Sequence, residues 1–403
     1  MPPDSGIPPE LDYVILLFAL FVLPRFLQRY RLPAAVTSVA LGVIAGAGLG
    51  LFAQDRTVAL LAVLGIVSLF LFAGLELDFS ELGQNAKILA QHLALGVAAL
   101  FGTAVVIRAS LDLPWRPAML VALALLTPST GFILDSLASL HLTPHDRFWI
   151  KSKAVATELV ALAVLFATLQ SATWQGLGTS TAVLAAMVLF LPMAFRVFAE
   201  RIVPYAPKSE FAFLLMLAVL CAFVTRRLGL YYLVGAFIVG IAAQRFQERL
   251  PAIASRQMLH AVEVFASFFV PFYFFHAGLE LRREDFGGDA LVMGGAFLVA
   301  ALPLRVGLVA LHRRLALREH FADGARIGLA MLPTLVFTLV IAQILRDQFQ
   351  VPRSVFGGLI IYTLVNTLIP GFALRLPPPE LHVRPAQESG TPLEPGPVSS
   401  SGL

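Results

Sequence analysis

The 403-residue chain is 58% apolar and 13% charged, with a mean hydropathy of +0.82, where soluble chains average about 45–50% apolar and about 25% charged. This excludes an ordinary soluble enzyme, and the balance of 29 basic against 25 acidic residues, net +4, reads as topology signal in loops rather than as a nucleic-acid surface. The lone Cys221 lies in an apolar run, which excludes an intramolecular disulfide and any cysteine metal site.

The chain opens on a short extracytoplasmic leader, 1–10, with Asp4 and Glu10 but no Lys or Arg. It lacks the positive n-region of a signal peptide, so the following apolar run stays in the mature protein. Apolar runs about long enough for a hydrocarbon core of about 30 Å predict thirteen spans: 11–30, 33–52, 57–76, 86–108, 116–139, 149–170, 180–200, 209–225, 228–244, 262–281, 289–312, 325–346 and 354–373. Runs so long and continuous are helices, not barrel strands, and the fold class is an all-α polytopic membrane protein. Loops after odd spans, together with the tail, hold 19 basic residues against 9 after even spans. Cytoplasmic loops carry the excess of Lys and Arg, so the N-terminus faces outside and the C-terminus the cytoplasm. The Pro, Ser and Gly-rich stretch 374–403 cannot bury a core and predicts a disordered cytoplasmic tail.

The chain also repeats itself. AGLEL occurs at Ala73–Leu77 and again at Ala277–Leu281, 204 residues on, each time closing a span after an aromatic-rich approach. In each half a later span carries a mid-span proline beside threonine: Pro128 in LLTPSTGF and Pro333 in MLPTLVF. The Gly-rich second span LPAAVTSVALGVIAG likewise matches the ninth, LYYLVGAFIVGIAAQ. The membrane domain 11–373 therefore reads as repeat one, about 11–170, a linker helix, about 180–200, and repeat two, about 209–373. An offset of seven spans is odd, so the repeat is inverted. Inverted halves with interrupted helices at matching positions are the pattern of secondary transporters.

These residues resemble the monovalent cation:proton antiporters, which include bacterial sodium/proton antiporters and potassium-efflux relatives. The segments carrying the resemblance are the GLELD ending at Gly74–Asp78, FFVPFYFFHAGLEL around Pro271 and TPST at Thr127–Thr130. The resemblance implies two crossed discontinuous helices and exchange of sodium or potassium for protons. It also implies a homodimer in the cell (inner) membrane, with no cofactor and no metal beyond the transported cation. A carboxylate on the helix after the first broken one then binds cation or proton, which here is Glu158 beside Thr157 in place of the usual Asn-Asp, Asp-Asp or Gln-Asp pair. Arg305 occupies the place of a basic residue on the helix before the second broken one.

Glu158 is independently singled out as the deepest carboxylate, about 13 Å into its predicted span at about 1.5 Å per residue. An ionised group there costs about 2.5–3.5 kcal/mol on insertion scales, so it is functional by default and crosses neutralised by a proton or a cation. Arg305 stays charged and reads as a fixed counter-charge for helix ends. Counting only these two, one proton per cation is the simplest exchange. Thr157, Thr127, Ser129, Thr130 and Thr334 offer hydroxyl oxygens for a hard cation at the interruptions marked by Pro128 and Pro333. Asp135 is a candidate for an entry funnel or an interfacial carboxylate, and Lys151 and Lys153 read as interfacial anchors, with tuning of access to Glu158 as the alternative. Two rival readings keep the scaffold: a sodium-coupled organic-anion carrier, and a non-transporting membrane sensor or subunit. No constellation supplies an enzyme's nucleophile and base.

Overall fold

The computed structural model describes residues 9–374 apart from 53, 78–82, 84, 138–142, 172, 207–208, 230–231 and 247–255. The predicted tail from 375 onward and most of the leader therefore lie outside the described residues. Within them the structure is helical throughout. The N-terminal half holds α1 (Pro9–Gln28), α2 (Ala34–Val43, continued by a π turn over Ile44–Gly48), α3 (Arg56–Leu75), α4 (Ala86–Leu111), α5 (Trp115–Leu126), α6 (Thr130–Leu137) and α7 (Pro144–Gln170). Then follow α8 (Trp174–Arg201), α9 (Glu210–Arg227), α10 (Tyr232–Phe246), α11 (Arg256–Leu279), α12 (Gly288–His312), α13 (Phe321–Ala330), α14 (Leu335–Phe349) and α15 (Arg353–Ala373).

The helices overlap the predicted runs in order, several beginning up to about six residues before them, and the fifth and twelfth runs each divide in two. Among the described residues eight helices are long and apolar enough to cross a membrane, or nine if the bent pair α13 and α14 is one span. The runs at 33–52 and 228–244 hold shorter apolar helices. Such segments are helical because lipid offers no partner for a free N–H or C=O, so each must close its own hydrogen bonds. Local caps set several starts. The Asp55 carboxylate accepts from Thr57 N at 2.8 Å and Val58 N at 2.9 Å to open α3. The Thr143 hydroxyl accepts from Asp146 N at 3.1 Å to open α7, with Pro144 in its first turn.

Two close helix crossings organise one side of the molecule. On α2 and α11, a Cβ added to Gly42 would stand 2.9 Å from Gly278 Cα and collide with the Phe275 carbonyl. On α3 and α10, a Cβ added to Gly74 would stand 2.9 Å from Gly240 Cα and collide with the Phe237 carbonyl. Only glycine lets the two backbones approach so closely. Gly42 and Gly240, like Gly74 and Gly278, stand in the segments that the sequence comparison pairs, and each glycine meets the backbone of the facing helix. The opposite side is built from α4 to α7 and α12 to α15, and it contains both interruptions.

Candidate functional site

The first interruption follows from Pro128. A residue before proline is pushed out of the helical region, and Thr127 is extended (φ −81°, ψ 121°), ending α5. The chain re-enters a helix at Thr130. The second interruption runs from Met331 to Thr334 around Pro333, where α13 and α14 meet at a 58° bend. The two breaks touch: the Ser129 N–H donates to the Pro333 carbonyl at 2.8 Å.

Four half-helix ends are thereby buried, and each exposes backbone groups that need partners. At the start of α14, the N–H groups of Val336 and Phe337 donate to the Ser129 hydroxyl at 3.1 and 3.4 Å. At the end of α5, the Ala124 and Leu125 carbonyls accept from the hydroxyls of Thr338 at 2.7 Å and Tyr362 at 2.6 Å. At the end of α13, Arg305 donates to the Met331 carbonyl at 2.7 Å, to the Leu332 carbonyl, and to the Tyr362 hydroxyl at 3.3 Å. At the start of α6, the Thr130 N–H donates to Glu158 Oε2 at 3.3 Å. A carboxylate thus sits at a helix N-terminus and a guanidinium at a helix C-terminus, each facing the dipole end of opposite sign.

Glu158 lies midway along α7 and is buried, with 5% of its surface exposed. No basic side chain pairs with it among the described residues; Arg305 is committed to carbonyls. The adjacent Thr130 hydroxyl is buried and, among the described residues, meets no hydrogen-bond geometry. Thr157 Oγ1 is 3.4 Å from His92 Nε2. Thr334 is held by Thr363 at 3.0 Å and by Asn366, which donates to its hydroxyl at 3.0 Å. A cavity of about 90 Å³ is lined by Thr127, Pro128, Thr157, Arg305, His92 and Met331 among others. That volume admits more than one water, and its wall joins both breaks. Glu158 itself is not part of the wall.

The interruption residues, Thr157, Glu158 and Arg305 are thus gathered in one region. Asp135 belongs to α6, and its side chain lies outside the described residues. Lys153 corrects the reading as an interfacial anchor, because it is fully buried. The helix begins at Pro144, five residues before the predicted span, which carries Lys153 inward. Sequence reasoning also passed over His312, Tyr362 and Asn366. A usable signal existed for Lys153, which stands four residues before Thr157 and so shares its helix face.

Residues 14–377 match the family described as sodium/hydrogen exchanger, transmembrane. The chain belongs to this family. A probable Na(+)/H(+) antiporter 3 of Methanocaldococcus jannaschii is 24% identical over 371 residues, covering 89% of this chain and 93% of its own. A Na(+)/H(+) antiporter of Enterococcus hirae is 23% identical, covering 90% and 96%. Among solved structures, the sodium proton antiporter MjNhaP1 of M. jannaschii superposes with a TM-score of 0.65 at 15% identity, over 91% of this chain and 98% of the other. This exchanger-family chain is therefore a multi-pass membrane protein with the antiporter fold.

Proposed function

We propose that the protein exchanges a monovalent cation, sodium or potassium, for protons across the membrane, with Glu158 as the group that holds cation and proton in turn. The observation that carries this reading is a buried carboxylate, without a basic partner among the described residues, fixed by the Thr130 N–H at an unwound helix end. An ionised carboxylate is costly there, so the site crosses the membrane only when a proton or a cation neutralises it. The Thr130 and Thr157 hydroxyls, both beside Glu158, are hard oxygen donors of the type sodium or potassium takes. Arg305 serves as a fixed charge that seals the end of α13.

In this reading the two halves, about 11–170 and 209–373 with a linker helix at about 180–200, are inverted repeats. The side containing α4 to α7 and α12 to α15 moves against the glycine-crossed side to alternate access. The latter side is the homodimer interface, the protein sits in the inner membrane, and basic-residue bias puts the N-terminus outside and the C-terminus in the cytoplasm. Asp135 is assigned to the approach to the site on its sequence position alone. The sodium/hydrogen exchanger family match supports exchange over the organic-anion and sensor readings.

The test uses proteoliposomes with an imposed proton gradient reported by a pH dye, with sodium, potassium or lithium added in turn. Collapse of the gradient by one of them supports exchange and names the cation. No cation-driven proton movement over a broad pH range, in protein that remains monodisperse, contradicts it.

A further inference from the structure

Lys153, on the Pro144 side of Glu158, and His312 take no part in the site above, and His92 joins them to it. Lys153 is fully buried. Its Nζ stands 3.0 Å from His312 Nδ1 and 5.7 Å from the Trp149 ring centre. His312, itself buried, lies 3.1 Å through Nε2 from the Ile88 carbonyl. A carbonyl can only accept, so Nε2 carries the proton and Nδ1 presents its lone pair to Lys153. The His312 ring stands 5.2 Å from that of His92, whose Nε2 reaches Thr157 beside Glu158.

Among the described residues no acid pairs with Lys153. The nearby acids, Asp146 and Glu319, are both taken by buried Arg313, at 2.7 and 2.5 Å. His145 pairs with Glu319 at 3.7 Å at the exposed edge. A buried ammonium whose acceptor is a neutral imidazole nitrogen is able to give up its proton, which a guanidinium is not. Lys153 precedes Glu158 by five residues, about 7.5 Å along the helix at about 1.5 Å each. Through His92 and Thr157 the cluster also meets the cavity that joins the breaks. A metal ion entering that space meets Arg305, whose charge is permanent, and the charge on Lys153, which is removable. A positive ion in that space disfavours the charged form of a nearby amine and so favours its neutral form.

We propose that Lys153, held by His312 and facing His92, is a second proton-holding site that empties when the cation loads at Glu158. The inference rests on the antiporter reading and deepens it. In the proton-loaded state Glu158 is a neutral acid and Lys153 an ammonium. In the cation-loaded state Glu158 is a carboxylate holding the cation and Lys153 is a neutral amine. One cation is thereby exchanged for two protons, and each cycle moves one net positive charge with the protons. This exceeds the one-for-one exchange that Glu158 and Arg305 alone would give.

The stoichiometry is read in proteoliposomes from the membrane potential at which cation and proton gradients produce no net flux, with isotopic cation self-exchange measured in parallel. Self-exchange needs the cation site but no proton. For the wild type a ratio of two is expected. Lys153→Met and His312→Gln are expected to fall to one with self-exchange kept within about twofold, and Lys153→Arg to fall to one with self-exchange reduced by its permanent charge. Equal ratios in wild type and Lys153→Met would overturn the proposal, as would a ratio of two in Lys153→Arg, since a fixed positive charge would then suffice. Loss of self-exchange together with antiport in all three variants would make the cluster structural and overturn it as well. A wild type that exchanges no cation for protons fails the antiporter reading itself, an outcome distinct from any change confined to the variants.

Discussion

The Ser129 N–H donates to the Pro333 carbonyl at 2.8 Å, so the two interrupted helices are joined backbone to backbone at their unwound centres. The Ser129 hydroxyl strengthens the joint by accepting from Val336 and Phe337 at the start of α14. Neither break can shift alone without leaving buried backbone groups unpaired. The breaks therefore move as one body, which suits a site carried between two faces of a membrane.

Ser129→Ala removes the acceptor and strands two buried N–H groups, each costing about 1–3 kcal/mol when left unsatisfied. A lower thermal midpoint in detergent than the wild type is expected, together with slower transport. An unchanged midpoint would mean that water replaces the hydroxyl without loss.

Arg305→Met leaves the Met331 and Leu332 carbonyls without their donors, whereas Arg305→Lys keeps a charge but loses the fork that reaches both. Stability should fall in the order wild type, Lys, Met, by about 1–3 kcal/mol per stranded group. Thermal melts of the three proteins check the order, and equal losses for Lys and Met would show that geometry, not charge, is what matters.

Gly42→Leu and Gly74→Leu should be alike in effect, because each pushes a side chain into the facing backbone at equivalent crossings. Both should yield little monodisperse protein by size-exclusion chromatography. A tolerated Gly42 variant beside a lethal Gly74 variant would break the equivalence of the two crossings.

Asp55, which caps α3, also accepts from the Tyr13 hydroxyl at 2.5 Å and so ties α1 to α3. Burial pushes its carboxyl upward, but the Tyr13 hydroxyl and the N–H groups of Val58 and Thr57 outweigh this and hold it below the ordinary carboxylate range. A depressed folded-state value means the stabilisation is complete above the unfolded value of about 3.9 and is lost as pH falls through the folded one. The melting difference between wild type and Asp55→Asn should be constant from neutral pH down to about 5 and shrink in stronger acid. A difference independent of pH would assign the cap to shape alone.

Both breaks were legible in the sequence because Pro128 and Pro333 each interrupt an apolar run beside threonine, and Glu158 and Arg305 because charge within an apolar run is costly. The joint between Ser129 and Pro333 was not, since it links residues 204 apart and depends on how the helices cross. Lys153 was misread for a local reason. The polar turn Thr143–Arg147 looks like a loop, yet the Thr143 cap and the pairing of Asp146 with Arg313 fold it into α7. That extension places Lys153 in the interior.

The central claim is that Glu158 alternately holds the cation and the proton, and Glu158→Gln tests it most directly. Glutamine keeps the size and can accept the Thr130 N–H, but it neither ionises nor binds a proton. Proton-coupled cation flux and isotopic cation self-exchange should both fall to the level of empty liposomes in this variant, while Glu158→Asp retains a measurable fraction of each. A Glu158→Gln protein that still couples cation movement to protons at the wild-type rate would contradict the account.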